Sequence, residues 1–140
     1  MAGTHPNPPE STIRTACLKA IEQRTGWAFV KHQTGHGVRG IPDIVGGYDG
    51  VPLAVEVKKP REVRFRPGQL RQLDLALQAG VLAAVVTSRQ DMELLLDAVD
   101  RLPPARTFND RTHWELWFAQ HGLSRLFPPD PRPPRIPGDA

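Results

Sequence analysis

Residues 41–58 read IPDIVGGYDGVPLAVEVK and carry two carboxylates, Asp43 and Glu56, with Lys58 two residues further on. The stretches 43–48 and 51–58 are rich in β-branched and apolar residues, and Asp49-Gly50 between them favours a two-residue hairpin turn. With that turn Tyr48 pairs with Val51, and counting outward sets Asp43 directly opposite Glu56 on one face of the sheet. Lys58 shares that face. Facing carboxylates repel, so the pair needs a cation or a proton. One reading is an exposed surface cluster in which Lys58 neutralises Glu56. The other is a divalent-metal site. The hard oxygens of Asp43 and Glu56 suit Mg²⁺ or Mn²⁺, and the Val57 carbonyl at the strand edge can supply another oxygen. Lys58 then holds or activates an attacking water. A bulge at Gly46-Gly47 would slip the register by one residue and turn Asp43 to the opposite face.

The flanking elements that must hold these groups are legible as well. Pro8-Pro9-Glu10-Ser11 opens a helix running to about Arg24, with Gly26 as its stop. Ile13, Cys17, Ala20 and Ile21 form its apolar stripe, which makes Cys17 a core residue. A first strand covers 27–33, followed by the glycine-punctuated loop TGHGVRGIP. After the hairpin, Pro67 starts a helix to about Ala79, with Gly80 past its end. VLAAVVTS at 81–88 reads as a strand buried on both faces, and a helix follows over 90–99. A last helix spans 110–120 and gathers Trp114, Trp117 and Phe118 on one face, to pack on its own domain or on a partner subunit.

Only the helix after Lys58 has the place of a crossover between parallel strands. The fold class is therefore α/β or α+β, with a small mixed sheet flanked by helices. At 140 residues, 39% hydrophobic and 24% charged, the chain is a globular single domain. The expected boundaries are a loose N-terminus at 1–9, one domain at 10–122 and a proline-rich tail at 123–140, which has no core role from Phe127 onward. A formal charge of +3 tolerates a polyanionic partner. One cysteine excludes an internal disulfide framework. The absence of a long apolar run and of a signal-like start predicts an intracellular, cytoplasmic protein with no membrane partner.

Pro42-Asp43 followed by Glu56-Val57-Lys58 resembles the signature of the PD-(D/E)XK nucleases, and the order of helix, three strands, helix and strand matches their core. The details are similar to the VRR-NUC branch and the archaeal-type Holliday-junction resolvases. Those details are Glu10 on the first helix, the RGIPD run ending at Asp43, AVEVKKP around Glu56 and Lys58, and Gln69 in RPGQLRQL. The resemblance spans roughly residues 10–88 and leaves out the final helices and the tail.

It implies a restriction-endonuclease-like αβββαβ core with added C-terminal helices, and metal-dependent hydrolysis of DNA by an activated water. Asp43 and Glu56 are then metal ligands and Lys58 the catalytic lysine. Glu10 is a direct or water-mediated ligand, with Glu22 as the fallback, and Gln69 assists near the water or phosphate. The implied cofactor is Mg²⁺, with Mn²⁺ as the other choice, and the implied assembly is a homodimer. The favoured substrate is branched or Holliday-junction DNA. The alternatives are flaps, ends or linear duplex, or a DNA-binding module that keeps the fold without catalysis. A phage or mobile element would suit so compact a nuclease.

Beside such a site, Lys59, Arg61, Arg64 and Arg66 read as phosphate-attracting residues, and Lys31, His32, His36 and Arg39 as the edge of a substrate channel. A zinc site at His32 and His36 is disfavoured, because the pair sits at a strand end and loop with one cysteine in the whole chain.

Overall fold

The structure, a computed structural model, describes residues 8–30, 40–102 and 108–132. Its elements follow the expected order: α1 (Glu10–Gln23), β1 (Trp27–Val30), β2 (Ile44–Tyr48), β3 (Val51–Val57), α2 (Gln69–Gln78), β4 (Leu82–Val86), α3 (Arg89–Val99) and α4 (Arg111–Gln120). A 3-10 turn, Ser124–Leu126, follows. The strands form one sheet in the order β1-β2-β3-β4, antiparallel at the first two junctions and parallel at β3-β4. The parallel junction is bridged by α2, the one crossover that the chain order required.

The hairpin has the predicted register. Tyr48 pairs with Val51 and Ile44 with Val55, unbroken through Gly46 and Gly47, so no bulge intervenes. Asp49 and Gly50 take φ of 51° and 79°, the paired positive values of a type I′ turn, whose twist matches that of the flanking strands. The tight β1-β2 contact explains Gly46, since a Cβ there would lie 2.1 Å from the Trp27 carbonyl oxygen.

The two faces of the sheet differ. Ile44, Leu53, Val55, Val57, Leu82, Ala84 and Val86 lie on one face and are fully buried. The helix α1 packs on β1, β2 and β3, and also on α3. On the other face, among the described residues, α2 packs at β4 and is itself backed by α4. Ala83 and Val85 are buried there, whereas Trp27 and Phe29 at the β1 side stand exposed.

Some boundaries differ from expectation, each for a local reason. The first helix ends at Gln23, and Thr25, not Gly26, takes the left-handed position at φ 61° while the Gly26 amide closes onto the Ile21 carbonyl. The helix expected from Pro67 starts at Gln69, because Gly68 at φ 87° cannot lie inside a helix. Strand β1 is described as far as Val30, and the rest of the expected 27–33 stretch lies outside the described residues.

The aromatic stripe packs inward: Trp114, Trp117 and Phe118 are buried in the chain's own core. The start of the proline-rich region packs too, contrary to the absence of a core role expected from Phe127. Leu123 and Leu126 are buried, and Phe127 meets Phe118 at 5.0 Å between ring centroids. Arg111 ties this segment down by bonding the Pro128 carbonyl, lying 4.8 Å over the Phe127 ring and pairing with Asp74 of α2 at 3.0 Å. A proline-rich composition did not prevent packing, because proline keeps its carbonyl as an acceptor.

Candidate active site

The end of the hairpin away from the turn is shaped by Pro42. In the ladder's register Pro42 falls opposite Val57, and proline has no N–H to give the Val57 carbonyl. The next residue takes over on the other side of the exchange: Asp43 Oδ2 accepts a 2.8 Å hydrogen bond from the Val57 amide. Asp43 is thereby fixed at the mouth of β2, directly before Ile44. Continuing the register, its position faces that of Glu56, which is 1% exposed despite its charge.

Lys58 continues β3 by one residue, its amide bonding the Val86 carbonyl at 3.0 Å. Its side chain is 5% exposed, and the ammonium donates to Gln69 Oε1 at 2.8 Å and lies 5.3 Å from the centre of the Phe65 ring. Gln69 is the first residue of α2, and the same Oε1 accepts from the Arg66 amide at 2.7 Å. The loop before Pro42 is pressed against this helix start. Gly40 has φ 81°, and a Cβ on it would lie 2.4–2.6 Å from backbone atoms of Gly68 and Gln69. RGIPD therefore needs its glycine for a close approach that brings the carboxylate strand and the Gln69 helix together.

The structure thus gathers Asp43, Glu56, Val57, Lys58 and Gln69 at one sheet end. Among the described residues no three histidine, cysteine, aspartate or glutamate side chains cluster closely enough to hold a metal, so Glu10, Asp43 and Glu56 do not form a three-acid group. Arg14, one turn after Glu10 on α1, reaches the site instead, its guanidinium 3.5 Å from Asp43 Oδ1. Sequence reasoning missed Arg14. Its signal was the four-residue spacing from Glu10, which puts both on one helix face. The fallback Glu22 lies on the exposed side of α1.

The donor set fits a hard divalent cation in part. Asp43 is bonded to the amide of Val57, the neighbour of Glu56 in the chain, and the Val57 carbonyl faces the same strand edge with no ladder donor from Pro42. Completing six-fold coordination would require water or phosphate oxygens.

Lys59, Arg61, Arg64 and Arg66 all lie on the segment between β3 and α2, past the Lys58 end of the sheet, and the three arginines are exposed. Lys59 contacts Glu62 at 3.8 Å. Lys31, His32, His36 and Arg39 lie outside the described residues. Cys17 has no place in the site. It is fully buried beside the Ser88 carbonyl, and burial, with Asp91 adding to it against Arg89, pushes its thiol up to about 12.

No family model matches the chain, and no curated protein matches it. A solved VRR_NUC domain does, at 26% identity and a TM-score of 0.53, covering 63% of this chain and 94% of that domain. The architecture is a VRR-NUC nuclease-like fold, an α/β core of the restriction-endonuclease type. Among the described residues no helix is long and apolar enough to cross a membrane.

Proposed function

We propose that this chain is a metal-dependent endonuclease that hydrolyses DNA phosphodiester bonds, with branched DNA as its preferred substrate. The observation that carries the reading is the hydrogen bond from the Val57 amide to Asp43 at 2.8 Å, which fixes one carboxylate at the residue between the buried Glu56 and Lys58. A surface cluster would leave Glu56 and Lys58 solvated, and both are nearly fully buried.

In this mechanism Asp43, Glu56 and the Val57 carbonyl would hold Mg²⁺ or Mn²⁺, with Glu10 as a water-mediated ligand. A divalent ion bound there makes a coordinated water acidic and offsets charge on the phosphate. Lys58 is held by Gln69 so that its ammonium points at the reacting oxygens. There it orients the water and stabilises the extra negative charge as the water oxygen bonds to phosphorus. The opposite P–O bond breaks, the attacking water releases a proton to solvent, and the departing sugar oxygen takes one up from solvent. Arg61, Arg64 and Arg66 attract the backbone without reading sequence. A homodimer would place two such sites on two strands.

The test is cleavage of a labelled four-way junction beside linear duplex, flap and single strand, in Mg²⁺ and in EDTA. Metal-dependent cutting that disappears in both Glu56→Gln and Lys58→Ala is the expected result, with the junction cut fastest. Junction binding without cutting in either metal would make the chain a DNA-binding module instead.

A further inference from the structure

The sheet face that carries the carboxylates continues onto β1. Trp27 pairs with Gly47, Phe29 with Val45, and Val45 in turn with Ala54. Strand alternation therefore puts Trp27, Phe29, Val45 and Glu56 on one face, with Asp43 at its edge directly before β2. Trp27 is 70% and Phe29 50% exposed, while Ala28 and Val30 of the same strand pack against the core from the other side. The two rings meet edge to face with centroids 5.2 Å apart. Two residues of strand advance about 7 Å, so Phe29 stands about 7 Å and Trp27 about 14 Å along the sheet from the level of Asp43.

We propose that Trp27 and Phe29 form a stacking platform for unpaired nucleobases next to the scissile phosphate, so that the site selects DNA whose strands part beside the cut. The inference rests on the nuclease reading above and assigns its specificity to these two side chains. Arg61, Arg64 and Arg66 follow β3 in the chain beyond Glu56, whereas the rings pair with β2 residues on the turn side of Asp43, so on this proposal a strand drawn by the cations crosses Asp43 and Glu56 before reaching the rings. Val45, Gly47 and Pro52, which share the platform's face, carry no charge to repel or hold a phosphate.

Paired duplex shows phosphates and sugars to such a surface, whereas an unpaired base offers a π face that stacks on an aromatic ring whatever its sequence. A second copy of the chain is the poorer occupant. Two such rings at these exposures offer roughly 250 Å² of apolar surface, well short of the ~800 Å² per partner of a stable interface.

The experiment compares binding of the full chain, in EDTA, to a fluorescent forked duplex with single-stranded arms and to a fully paired duplex of the same length. Trp27→Ala and Phe29→Ala are each expected to weaken fork binding about tenfold and duplex binding less than about twofold, with Trp27→Phe close to the parent. Trp114 and Trp117 are buried, so the fork should quench indole emission through Trp27, and Trp27→Phe should abolish that quench. Equal weakening on both DNAs, or none on either, overturns the platform. So does conversion of a dimer to a monomer by Trp27→Ala in sedimentation, which would make the face a subunit contact. The two readings fail separately. Fork-selective stacking in a chain that never cuts in Mg²⁺ keeps the platform and sinks the nuclease. Metal-dependent cutting indifferent to both ring substitutions does the reverse.

Discussion

The Lys58 ammonium, almost wholly buried, donates to Gln69 Oε1 at 2.8 Å, joining the end of β3 to the first turn of α2. The same oxygen takes the Arg66 amide at 2.7 Å, so one side chain sets both the catalytic candidate and the approach of the basic segment.

Replacing Gln69 by Leu therefore removes a hydrogen bond to a buried charge. We expect urea unfolding to show a loss of about 1.5–3 kcal/mol. Cleavage should fall by about tenfold or more beyond any loss of folded protein, because Lys58 is no longer aimed. Full activity in folded Gln69→Leu protein would remove Gln69 from the site.

Arg14 holds a positive charge 3.5 Å from the carboxylate assigned to the metal, with about a third of its side chain exposed. Its attraction for Asp43 competes with that of a cation, screened by water to about 0.5–1 kcal/mol. Arg14→Ala should bind Mn²⁺ about two- to fivefold more tightly in a calorimetric titration without DNA. Unchanged or weaker binding would show that Arg14 does not oppose the metal.

Cys17 sets a pH limit on stability. Burial raises its thiol from an ordinary 9.0 to about 12, so between those values the unfolded chain loses a proton that the folded chain keeps. Unfolding is then favoured as the pH rises, and the contribution present below pH 9.0 is lost through about 12. Denaturation midpoints should fall more steeply above pH 9 in the parent than in Cys17→Ala, and a thiol reagent at pH 8 should label only unfolded protein. Rapid labelling of the native chain would contradict this burial.

Much of the site was legible because it depends on short-range rules. Asp49-Gly50 set the turn, the turn set the register, and the register placed Asp43 opposite Glu56 without any tertiary information. The order of elements followed for the same reason, since periodicity and the Gly and Pro punctuation are local signals. Arg14 was legible only as a neighbour of Glu10 on α1, not as a partner of Asp43. Which part of α1 meets the mouth of β2 depends on how the helix lies across the sheet, and the apolar stripe, which Arg14 borders beside Ile21, does not single it out. Gln69 was legible as a residue, but its bond to Lys58 depends on Gly68 starting the helix two residues later than Pro67 suggested. The start of the proline-rich region was misleading because its packing depends on Arg111 and Phe118, which are distant from any local pattern in it.

The sequence by itself determined the hairpin, its register and the residue types at its open end, because strand alternation and a two-residue turn leave one arrangement. Only the tertiary structure decided which carboxylate has a guanidinium beside it, which groups are taken out of water, and which sheet face stays open at β1. Those properties follow from the packing of α1 and α2 on a twisted sheet, and burial is a sum over neighbours that no single stretch of chain encodes.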